Sequence, residues 1–264
     1  MFRFLRERRR QRLRAAPVPP AWRSLVEARF ALYRALSPED REKLLSHVAV
    51  FLAEKKFEGC AGLEVTDEMR VVIAAQACLL LLRQEAPTYY PACDVILVYP
   101  HAYVAKQTEV LPGGIVVEGD SARLGESWTR GVVVLSWDDV REGASDARDG
   151  HNVVLHEFAH QLDQEDGSSD GAPILERRSQ YVAWARILSA EYADLQRAAE
   201  TGRRTDIDTY GATNPAEFFA VATEAFFERP STLRKKHPDL YDELKMFYRQ
   251  DPAAEREHGA AAKD

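Results

Sequence analysis

Histidine, glutamate and histidine at positions 156, 157 and 160, within the run Val153-Val154-Leu155-His156-Glu157-Phe158-Ala159-His160-Gln161-Leu162, have the types and spacing of a metal site. Residues four apart on an α-helix lie about one turn apart on one face, so His156 and His160 can offer two imidazole nitrogens to a single cation. Glu157 falls beside them. A carboxylate next to a metal-activated water can take its proton, the chemistry of the H-E-x-x-H zinc metalloproteases. Five-residue matches also arise by chance, and two surface histidines on an ordinary helix would read the same way. The neighbours argue for the metal: Val153, Val154, Leu155, Phe158, Ala159 and Leu162 make the segment largely apolar, where unpartnered polar groups are costly. A bound cation satisfies both histidines and favours the charge of Glu157.

A catalytic zinc takes three protein ligands and leaves one position for water, which requires a third donor. Glu217 and Glu224 are seven apart and share a helix face with small Ala220, so either can reach an ion held by the first helix. Asp166 stands six residues after His160, where the metzincin pattern has its third ligand, but the glycine that pattern needs three residues earlier is Asp163 here. Asp163, at i+3 from His160, suits orienting an imidazole better than binding metal. Residue types alone leave the third ligand open.

The chain that must position these groups has 264 residues, 45% hydrophobic and 29% charged, enough for a substantial core. Its net charge of -7 argues against a nucleic-acid-coating surface. Cys60, Cys78 and Cys93 are odd in number and lack C-x-x-C spacing, which points to a reducing compartment. The longest apolar run, Val71 to Leu82, is too short to span a bilayer, and the N-terminus lacks a signal peptide's hydrophobic core. Residues 1–21, with arginines at 3, 6, 8, 9, 10, 12 and 14 and prolines at 17, 19 and 20, read as a solvated basic arm.

Residues 22–90 are patterned as helices, with Ser37-Pro38-Glu39 and Thr66-Asp67-Glu68 as starts. Short β-rich runs follow at Val95 to Tyr99, Ile115 to Glu118 and Val132 to Ser136, the last read either as an edge that holds an extended peptide or as an interior strand. Asp149 is a candidate cap for the metal helix. Beyond it the pattern gives an acidic loop from Asp163 to Gly171, helices from Pro173, over Ala216 to Phe227 and over Pro238 to Arg249, a loop from Thr201 to Pro215, and a tail at 253–264 with little to bury. The fold class expected is α+β, mainly helical with a small mixed β-sheet beside the metal-binding helix.

His156-Glu157-Phe158-Ala159-His160-Gln161-Leu162-Asp163 together with Asn214-Pro215-Ala216-Glu217-Phe218-Phe219-Ala220 resembles the Mlc titration factor A family of bacterial zinc peptidases, and Gly62 to Arg70 and Ile96 to Pro100 fit its pattern too. The likeness covers roughly residues 20 to 250. The family is gluzincin-like and related to the catalytic domain of anthrax lethal factor. The resemblance implies a zincin-like catalytic region over 91–252, one zinc held by His156, His160 and Glu217, Glu157 as general base, and Tyr210 as donor to the oxyanion, with Glu224 behind the ligands. It further implies a cytoplasmic aminopeptidase acting on peptides, with the repressor Mlc as protein partner and a part in regulating sugar uptake. No direct nucleic-acid or membrane partner is expected. The alternative reading is a repressor-sequestering binding protein whose zinc is mainly structural, and the same activated water would equally serve an esterase or amidase.

Overall fold

The computed structural model describes residues 2–111, 115–123, 125–128 and 131–261, with side chains described for 4–102 and 131–257. Capping residues set the starts of the helices that matter most. Ser37 accepts a hydrogen bond from Asp40 N at 3.1 Å, with Pro38 in the first turn, and opens α4 (Pro38–Glu54). Thr66 does the same for α5 (Asp67–Leu79) through Met69 N at 3.3 Å. Every residue of α5 from Val71 to Leu79 is buried, as an all-round apolar helix must be. Ahead of these lie α1 (Phe2–Ala15), α2 (Pro20–Arg29) and α3 (Ala31–Ala35).

The first segment differs from the expected solvated arm. Helix α1 packs on α4, and Arg10, only 4% exposed, donates to both carboxylate oxygens of Glu54 at 2.8 and 2.7 Å and to the carbonyls of Pro87 and Thr88. Its guanidinium lies over the Tyr89 ring, 4.7 Å from the centroid. One well-partnered arginine thus ties the helix down where composition alone suggested solvation.

The sheet contains β1 (Lys56–Gly59), β2 (Cys93–Tyr99), β5 (Gly125–Trp128) and β6 (Gly131–Ser136), in the order β1-β2-β6-β5, while β3 (Tyr103–Leu111) and β4 (Ile115–Arg123) form a separate hairpin. Strands β1, β2 and β6 are parallel, with Phe57 beside Ile96 and Ile96 beside Val133, and β5 runs antiparallel to β6. Strand β1 falls in a region patterned as helix and break; four residues are too few for a period-2 signal. Strand β6 is interior, so among the described residues the outer strands are β1 and β5 and not Val132 to Ser136.

The remaining elements are α6 (Trp137–Ser145), α7 (Val153–Asp163), a 3-10 turn (Gln164–Asp166), α8 (Gln180–Thr201), a second 3-10 turn (Thr209–Ala212), α9 (Pro215–Glu228), α10 (Pro230–Lys236), α11 (Pro238–Tyr248) and α12 (Pro252–Ala261). Helix α8 starts at Gln180, not at Pro173, and residues 253–261 belong to a helix where a loose tail was expected. Arg256 explains the latter: it donates to the carbonyls of Phe227, Glu228 and Ala147. The fold is therefore α+β, mostly helical around a small mixed sheet. Helix α7 lies at its centre, against α5, α9 and β5. Phe158 anchors it, fully buried with its ring centroid 4.6 Å from Tyr90 and 5.6 Å from Phe51. No helix among the described residues is long and apolar enough to cross a membrane.

Candidate metal centre

Helix α7 begins at Asn152, whose Oδ1 accepts from Leu155 N at 3.0 Å. The expected cap, Asp149, instead closes the preceding turn by accepting from His151 N. From that start His156 and His160 come round on one face, and their Nε2 atoms stand 3.2 Å apart. Facing them, α9 opens on Asn214, which accepts from Glu217 N at 2.9 Å and fixes the first turn that carries Glu217. Glu217 Oε2 lies 3.0 Å from His156 Nε2 and 3.3 Å from His160 Nε2.

Those three separations fit a cation. Zinc bonds of about 2.0–2.1 Å in tetrahedral geometry set neighbouring ligand atoms about 3.3–3.4 Å apart, and two imidazoles with one carboxylate are a donor set zinc takes. His156, His160 and Glu217 are also brought together as a group able to hold an ion, whereas Asp166 is exposed and accepts from Ser168 N in its own turn. Glu224 lies behind His156: its Oε1 is 2.7 Å from Nδ1, and its Oε2 accepts from Asn152 N at 2.5 Å. This contact fixes the imidazole so that Nε2 faces the ion position. Asp163, read as an orienting group, is fully buried and accepts from Gly171 N at 3.0 Å, tying the acidic loop back to α7. A Cβ on Gly171, at φ +76°, would collide with the Pro215 carbonyl, so that loop is pressed against the start of α9.

The charges follow from the packing. Burial alone would lower the His156 pKa, but Glu217 and Glu224 outweigh it and hold the imidazole well above its usual range. Glu217 shows the reverse balance: burial would raise its pKa, yet the two histidines bring it down to about 2. Burial pushes Glu157 up to about 7, and its Oε2 has no hydrogen-bond partner among the described residues. A buried carboxyl poised near neutrality beside three metal-type donors suits proton transfer.

Tyr210 sits in the 3-10 turn that Asp208 caps through Tyr210 N at 2.8 Å. Its side chain is 55% exposed and its ring centroid is 6.0 Å from that of His156. Gly211 lets this turn press on α9, because a Cβ there would collide with Val221 and come within 3.3 Å of the Phe218 Cα. Two supporting residues escaped the sequence reading. Glu228, fully buried, accepts from Asn152 Nδ2 and Gly150 N, both at 3.1 Å. Asn152 thereby joins the cap of α7 to Glu224 and Glu228. Asparagine just before an apolar run, and Glu217, Glu224 and Glu228 on one helical face, were the available signals.

The chain matches the model of the glucose-regulated metallo-peptidase M90 family over residues 4–249. It is 44% identical over 245 residues to an uncharacterized protein of Synechocystis sp., covering 92% of this chain and 89% of that one. It is 33% identical over 226 residues to Mlc titration factor A of Serratia proteamaculans, covering 84% and 85% of the two chains. The Mlc titration factor A of Yersinia pestis is 32% identical over 226 residues, with 84% and 82% covered. With a two-histidine, one-glutamate cluster at its centre and a match spanning nearly its whole length, the chain belongs to the glucose-regulated metallo-peptidase M90 family.

Proposed function

We propose that this protein is a zinc-dependent aminopeptidase of zincin-like fold, acting on peptides in the cytoplasm. The convergence of His156, His160 and Glu217 beside buried Glu157 carries the reading. These three would hold one zinc ion, which would supply a Lewis acid for the scissile carbonyl and acidify a water. Glu157 takes the proton of the attacking water and passes it to the leaving amine. Tyr210, exposed beside His156, donates to the oxyanion as it forms. Glu224 keeps His156 in its orientation. Strand β5, the one of the two outer strands that packs against α7, offers main-chain groups along which an extended peptide can lie.

The test is zinc per chain, measured on untagged protein, together with hydrolysis of aminoacyl p-nitroanilides. About one zinc in the parent and almost none in His160→Ala, with Glu157→Gln holding zinc but not cleaving, is the expected pattern. Wild-type cleavage by Glu157→Gln would remove Glu157 from the role of base. A second reading rests on the name of the Serratia and Yersinia relatives: a chain that titrates the repressor Mlc, with its zinc mainly structural. That reading predicts repressor binding unchanged in Glu157→Gln and no peptidase activity in the parent.

A further inference from the structure

Helix α1 carries seven arginines and one glutamate, a net of +6 in a chain whose total is -7. Its two faces are used differently. Arg10 and Arg14 point at the body, where Arg10 meets Glu54 and Arg14 reaches Tyr89 Oη at 3.2 Å; Arg14 also pairs with Glu7 of the same helix at 2.7 Å. At 100° per residue the opposite arc carries Phe4, Leu5, Arg8 and Arg12, while Arg9 at its margin turns back to donate to the Ala53 carbonyl at 3.2 Å. Phe4 is 64% exposed and Leu5 55%, and Arg8 and Arg12 are exposed as well. Arg8 lies over the Phe4 ring at 5.2 Å, and neither Arg8 nor Arg12 has a carboxylate partner among the described residues.

We propose that this face of α1 docks on an anionic lipid surface. The helix is about 21 Å long and is held to the body through Arg9, Arg10 and Arg14, which leaves Phe4, Leu5, Arg8 and Arg12 on the side a plane can meet. Cations interleaved with exposed Phe and Leu suit that plane: the guanidinium groups reach headgroup phosphates while the two apolar side chains enter the boundary beneath. A nucleic acid or an acidic protein chain would use the same cations but would give Leu5 no apolar phase to enter. The Arg10 clamp holds the arc outward, and lying on a surface needs none of the length that spanning requires.

The experiment is co-flotation of the full-length protein with phosphatidylcholine vesicles, with and without phosphatidylglycerol, at low and high salt. Binding to the anionic vesicles alone, weakened by salt, is expected. Arg8→Gln with Arg12→Gln removes two surface cations and is expected to weaken binding about thirtyfold. Phe4→Ser with Leu5→Ser is expected to weaken it at least tenfold. All four positions are exposed, so circular dichroism and the unfolding temperature should match the parent. Absence of binding to anionic vesicles at low salt overturns the proposal. So does binding unaffected by the apolar pair, or tighter capture of duplex DNA or polyglutamate than of the vesicles.

Discussion

Glu228→Gln should change how stability depends on pH. Glu228 is fully buried and its carboxyl forms no ion pair among the described residues, and burial, reinforced by Asp149, pushes it up to about 10. The folded chain keeps this proton to about pH 10, while the unfolded chain sheds it near 4.5. Between those values the folded state binds one more proton, so this group makes stability fall as pH rises, by about 1.4 kcal/mol per unit. Glutamine has nearly the same shape and cannot ionise. It loses one of the two acceptors that serve Asn152 and Gly150, a pH-independent cost of about 1–3 kcal/mol. The signature is therefore a slope. Between pH 5.5 and 8.5 the variant should gain about 4 kcal/mol on the parent, about 10 °C in unfolding temperature for a chain of this size. Urea unfolding of the metal-free proteins at closely spaced pH values measures it. Parallel curves for variant and parent would refute a buried, protonated Glu228.

Phe158→Ala removes the ring packed on Tyr90 and Phe51 and should cost about 3–5 kcal/mol, read as a lower denaturant midpoint. Glu224→Ala leaves His156 Nδ1 and Asn152 N without their partner, and competition with a chelator should show zinc held about 10–100-fold more weakly. Tyr210→Phe should lower kcat by about 100-fold or more with KM little changed; unchanged kcat would remove the phenol from the oxyanion.

Where a residue's role is local, the sequence displays it. His156, Glu157 and His160 depend only on helical spacing, and Ser37 and Thr66 announce their helices because capping is a contact over three residues. Glu217 was one of several candidates on residue types alone, since which carboxylate faces α7 depends on how α9 crosses it. Asp149 and Asn152 competed for one cap; the asparagine took it because its Nδ2 also finds Gly143 O and Glu228. The arm and the tail were misjudged for one reason. Arg10 and Arg256 look like solvent-facing charge in a basic or polar run, yet Arg10 meets Glu54, 44 residues away, and Arg256 meets Ala147, 109 residues away. Composition does not record such distant partners.

Arg256 also affects how this protein can be shortened. The family match stops at residue 249, which makes 250 an inviting place to trim. Yet Arg256 holds the last carbonyls of α9, the helix that presents Glu217 and Glu224 at its other end. A chain cut there would keep every residue of the proposed metal centre while the helix that carries Glu217 was left to fray from behind. Loss of metal in such a fragment would report a missing splint and not a missing ligand.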